Sequence, residues 1–146
     1  MGPLELLDAR IDAQLGQLDL GAAARPGRMK LLRTEHAVIV ISAFAQDNLV
    51  MCRLAAVLLA DVDPSLDLLH RLFRANTELT MGTLQLFEDR TVVLVITLPD
   101  SALDGETFPW AIRYLAQRAD ALAPALQATA RGRTGSQILE RSACSL

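Results

Sequence analysis

Two apolar runs, Met81–Phe87 and Thr91–Leu98, stand on either side of the polar triplet Glu88-Asp89-Arg90. Each run has the length of a strand, the first alternating and the second near-continuous in Val, Ile and Leu, and three polar residues between them read as the turn of an antiparallel hairpin. Leu98-Pro99-Asp100 ends the second strand, because proline cannot donate to a ladder. Amphipathic helices flank the hairpin. Ser65–Asn76 places Leu66, Leu69, Leu72 and Phe73 on one face. Gly105–Leu126 carries Phe108, Ile112, Leu115, Ala119, Leu122 and Leu126 at steps of four and three, a continuous stripe with helical period. A chain with this pattern folds as helix, hairpin, helix, with both helices facing the sheet.

The first half supplies the rest of the sheet. Leu4–Leu18 aligns Leu4, Leu7, Ile11, Leu15 and Leu18 on one helical face. Gly21 and Arg25-Pro26-Gly27 break that helix. Arg28–Thr34 has the pattern of a short edge strand. His36–Phe44 is rich in Val and Ile and reads as a strand. Leu49–Leu59 alternates well enough to favour strand, although its Ala and Leu content leaves helix open. Asp63 is expected to cap the next helix with Pro64 in its first turn. Asp104 or Thr107 is expected to cap the last helix, with a kink or an end at Pro124. The order α-β-β-(β)-α-β-β-α, with short polar turns between strands, predicts an α+β fold: an antiparallel sheet with helices packed on one face.

At 146 residues, the chain is long enough to bury roughly 70% of its unfolded surface. Residues 1–130 are expected to form one domain. Residues 131–146, rich in Gly and Ser, read as a flexible tail anchored by Ile138 and Leu139. The formal charge of −3 argues against nucleic acid as the main partner, since phosphate binding needs clustered cations. No apolar run approaches the length of a membrane span, and two cysteines do not make a disulfide framework. The expectation is a soluble, cytoplasmic protein.

No set of residues points to a reaction. His36 and His70 lack a ligand-like spacing and read as surface or boundary histidines. Asp61-Val62-Asp63 suits a turn and helix cap better than a cation seat. Asp100, Asp104 and Glu106 complement the N-terminus of the last helix. Cys52, in an apolar run, reads as a buried thiol, and Asn76 as a helix C-terminal cap. No catalytic residue, metal ligand or cofactor is assigned. Strands such as Val38–Ile41 and Val92–Ile96 are apolar on both faces, yet helices on one side cover only one of them. The other needs a partner. Candidate contacts are Leu7 and Ile11 of the first helix and Phe44 and Met51 of the central strands.

The segment Leu68–Asn76, then Gly82–Phe87, Thr91–Pro99, Leu103-Asp104 and the late Ala119-Asp120 pair resembles the YbjN and type III secretion chaperone-like (Tir chaperone-like) superfamily. Members share a helix ending in Asn, a hairpin, a strand ending in Leu-Pro, a Leu-Asp pair and a long last helix. Glu88-Asp89-Arg90 stands where many members have a glycine-rich turn. The resemblance implies a non-enzymatic, cofactor-free homodimer that holds an extended or amphipathic segment of a client protein. The alternative it leaves is a YbjN-like regulatory or adaptor module.

Overall fold

The computed structural model describes residues 2–18, 23–24 and 29–144. Helix α1 (Pro3–Leu18) precedes strands β1 (Ala23–Ala24), β2 (Met29–Arg33), β3 (Val38–Gln46) and β4 (Leu49–Ala60). Helix α2 (Leu66–Glu78) follows, then β5 (Thr83–Leu86), β6 (Val92–Pro99), a 3-10 turn at Asp100–Leu103, α3 (Thr107–Ala130), β7 (Arg133–Thr134) and α4 (Gly135–Cys144). The sheet runs β1-β2-β3-β4-β6-β5, antiparallel throughout, and β7 adds to β4. The fold is the α+β arrangement expected. The loop expected at Gly21 and Arg25–Gly27 lies outside the described residues.

Local chemistry sets the turns. Asp47 and Asn48 both have positive φ (52° and 68°), the backbone of a two-residue hairpin turn that Asp and Asn tolerate. The triplet at 88–90 closes the β5–β6 hairpin: Phe87 N–H donates to Thr91 O at 2.9 Å, and Arg90 takes φ 65°. A register shift between Val57 and Leu59 lets both Leu58 and Leu59 bury, which strict alternation would forbid.

The core lies between the sheet and the helices. Ile39 and Ile41, Leu54 and Ala56, and Leu94 and Ile96 are in register and buried. Against them pack Leu7, Ile11 and Leu15 of α1, Leu68, Leu72 and Ala75 of α2, and Phe108, Ile112, Leu115, Ala119 and Leu126 of α3. A fully buried side chain of this kind contributes roughly 1.5–3 kcal/mol.

Four expectations need correction. In α2, Leu72 faces the core, but Leu66, Leu69 and Phe73 are exposed; the inward stripe is Leu68, Leu72 and Ala75. The helix carries two apolar stripes, and its packing on α3 and β5 selects one of them. Its N-cap is Ser65, whose Oγ accepts from Leu68 N–H at 3.1 Å, not Asp63. Helix α3 starts after Glu106 and continues through Pro124 to Ala130, because its buried stripe extends on both sides of the proline.

The fourth correction is the tail. Thr134 pairs with Leu59, and α4 follows. Thr134 N–H donates to Gln137 Oε1 at 2.9 Å, and Gln137 N–H to Thr134 Oγ1 at 3.3 Å. This reciprocal pair is a capping box, legible as Thr-x-x-Gln. Gly135 reflects close approach, not flexibility. A Cβ there would overlap Val57 O and lie 2.7 Å from Val38 N.

Candidate protein-binding surface

Alternation leaves one set of strand residues facing away from the core. In register across the sheet they form rows: Leu31, Val40, Ala55, Val95 and Thr83; next to it Arg33, Val38, Val57, Val93 and Gln85. Farther along come Met29, Ser42, Arg53 and Thr97, then Phe44, Met51 and Pro99. An antiparallel sheet face turned to water ordinarily alternates apolar with polar. Here the outward positions of the central strands are mostly Val, Ala, Phe and Met. A trough of about 640 Å³ lies over this face, floored by Val40, Ala55, Val57, Val93 and Val95. Arg53 and Asp89 are the charged residues among its lining. Met29, Leu49 and Phe87 are exposed large apolar residues.

Phe44 and Met51 are directly opposed on β3 and β4 and half-buried. The Arg53 guanidinium lies 4.4 Å above the Phe44 ring centroid, a diagonal cross-strand cation–π contact. Leu7 and Ile11 are placed otherwise. They are 2% and 1% exposed and hold α1 to the sheet, so in this conformation they cannot touch a partner. Their spacing marks a buried stripe, which sequence alone does not distinguish from a docking stripe.

The polar residues that stand out in the sequence fasten the helices to the sheet. Asn76 Nδ2 donates to Leu84 O at 3.2 Å, and Leu84 N–H donates to Asn76 Oδ1 at 2.7 Å. The amide thus pairs with the edge strand β5 as another strand would, rather than capping its own helix. Asp120 accepts from Thr34 Oγ1 at 2.6 Å, His36 N–H at 2.8 Å and Glu35 N–H at 3.3 Å, which fixes the β2–β3 turn to α3. Asp104 pairs with Arg10 at 2.9 Å, and Leu103 O accepts from Gln14 at 2.7 Å. Lys30, the one lysine in the chain, has a side chain only 6% exposed and lies between Asp8 (3.3 Å) and Asp12 (3.4 Å) of α1. The sequence reading missed this ion pair, because the partners come from separate elements.

Among the described residues, no group of three or more His, Cys, Asp or Glu is placed to hold a metal ion. Asp61 pairs with Arg133, whose Nε lies 2.9 Å from it. His70 is exposed beside Arg71 and Arg74, and His36 is half-buried at the β2–β3 turn. Burial raises the Cys52 thiol from 9.0 to about 12 by disfavouring the thiolate. No described helix is long and apolar enough to cross a membrane.

The sequence matches, over residues 5–137, the family described as T3SS (YopN, CesT) and YbjN peptide-binding chaperone 1. The chain belongs to this family. No curated protein matches it. As a domain of the T3SS and YbjN chaperone class it has a protein-binding role, and the match runs from α1 into the first turn of α4. In this chaperone domain Asn76, Asp104 and Asp120 act on the fold. Among the described residues, exposed apolar side chains lie on the open face of the sheet, on the outer stripe of α2, and at Leu6 and Trp110.

Proposed function

We propose that this chaperone domain holds an extended segment of a client protein against the open face of its sheet. The observation that carries the reading is the asymmetry of burial. One face of β3, β4 and β6 is sealed by helices, while the other presents Val40, Ala55, Val57 and Val95 half-exposed. Phe44 and Met51 are the client contacts in this reading. Binding runs on apolar burial and needs no metal, nucleotide or chemical step. A second copy of the chain meets the outer α2 stripe of Leu66, Leu69 and Phe73, which makes the working unit a homodimer. We place it in the cytoplasm, where clients are held before they reach their destination.

Co-purification from the native host followed by calorimetry on the captured client tests this. Burial of apolar surface gives a negative heat-capacity change, and binding should survive about 0.3 M salt, where exposed charge pairs are screened. A heat-capacity change near zero would overturn the reading. Light scattering across a dilution series tests the dimer: a mass that stays at 15.8 kDa would remove it.

A further inference from the structure

Arg53 is an exposed arginine in the middle of β4, on the open face, with Ser42 and Thr97 as its cross-strand neighbours. Among the described residues it forms no ion pair, and in this it is like Arg74, Arg90, Arg113, Arg118 and Arg131 and unlike Arg10, Arg33, Arg71 and Arg133, which each have a carboxylate. Its guanidinium rests over Phe44 at 4.4 Å. Stacking orders the plane and leaves the in-plane N–H donors free to take a carboxylate in bidentate fashion. The other charge in the trough, Asp89, sits on the β5–β6 turn and accepts from Thr91 N–H at 3.1 Å.

We propose that Arg53 selects clients whose extended segment carries an Asp or Glu among apolar side chains. This rests on the open-face reading. A wholly apolar segment lying on the trough would strip water from Arg53 and leave its charge unpaired, which opposes binding. A carboxylate delivered by the segment removes that penalty through charge-assisted hydrogen bonds. The arginine thus excludes segments that are merely hydrophobic, and in the unloaded domain it keeps an apolar face in water.

The probe is a set of fluorescent nine-residue peptides of alternating Thr and Val, with one central Val replaced by Asp, Asn or Lys. Anisotropy titrations compare wild type, R53Q and R53K. Wild type should bind the Asp peptide about fivefold to tenfold more tightly than the Asn peptide, the range for a partly desolvated ion pair, and the Lys peptide most weakly. R53Q should bring Asp and Asn within about twofold, and R53K should keep part of the preference, since it retains charge without the planar fork. Because Arg53 is exposed, R53K should unfold near the wild-type denaturant midpoint, and R53Q slightly below it through loss of the Phe44 stacking contact. Equal binding of the Asp and Asn peptides to wild type would overturn the acidic preference and leave the open face intact. Absence of binding by every peptide would overturn the open-face reading, and this proposal with it. A change in mass on light scattering for R53Q, with peptide affinities unchanged, would assign the face to a second copy of the chain and overturn the proposal.

Discussion

On β4, Cys52, Leu54, Ala56 and Leu58 face the helices and are fully buried, whereas Met51, Ala55 and Val57, one residue out of step, remain half-exposed. Apart from Arg53, which is exposed in the second set, the two sets are alike in being apolar. What separates them is the layer above. α1 and α3 lie on the first set, and much of the second has only the trough over it. Hydrophobicity alone therefore did not choose the buried face. On this face Val38 and Val93 are buried and Arg33 pairs with Glu140 of α4, while Val40, Ala55, Val57 and Val95 stay half-exposed, apolar surface that is a cost to a free protein. The polar fasteners keep to the same division. Asn76, Asp120, Lys30 and Gln14 all tie the helical side together, and none of them reaches across the open trough.

The largest expected effect falls on the covered face. Leu115 is fully buried in the α3 stripe, so Leu115→Ala should cost about 2–5 kcal/mol, read as a lower denaturant midpoint. A near-wild-type midpoint would break the contrast between the faces. Next comes the sheet edge. Asn76→Ala strands the Leu84 N–H and C=O and should cost about 1–3 kcal/mol, with hydrogen exchange quickened at Leu84 and in the β5–β6 hairpin. Unchanged exchange at Leu84 would show that the amide pairing does not hold the edge.

On the open face the order of effects reverses. Met51→Ala should change stability by less than about 1 kcal/mol yet weaken client binding by about tenfold if it is a main contact. A large loss of stability with intact binding would move Met51 to the structural side. The smallest effect concerns Cys52. Its folded value lies above the ordinary 9.0, so the contribution of the protonated thiol is complete below pH 9.0 and is lost as pH rises toward about 12. Thiol reagents at neutral pH should leave Cys52 unlabelled until the protein unfolds. Rapid labelling of the native protein would show that the covered face opens.

The longer strands β2 to β6 and the α3 stripe were legible because periodicity reports burial directly; β1, β7 and the order of strands in the sheet were not. The α3 residues at steps of four and three all lie against the core, with Leu122 only half-buried. Periodicity failed in α2, where two stripes, Leu66-Leu69-Phe73 and Leu68-Leu72-Ala75, share one helix and only the position of α3 and β5 decides between them. It failed again for Leu7 and Ile11, since a buried stripe and a docking stripe have the same spacing. Composition misread residues 131–144, because Gly135 serves close packing and Thr134–Gln137 is a local capping signal inside a Gly- and Ser-rich stretch. The fasteners of Asn76, Asp120 and Lys30 join residues far apart in the chain, so no local pattern announces them. Val38–Ile41 and Val92–Ile96, apolar at both odd and even positions, suggested burial on both faces; Val38 and Val93 are buried, while Val40 and Val95 are half-exposed.

The central claim is that the open face, not the helical layer, takes the client. Ala55 sits at the middle of that face between Val40 and Val95. Calorimetric titration of the co-purified client into Ala55→Glu tests the claim most directly, with circular dichroism and the denaturant midpoint as checks on folding. The expected result is a folded domain near wild-type stability whose client binding falls below detection. A folded Ala55→Glu protein that binds the client with wild-type affinity would contradict it.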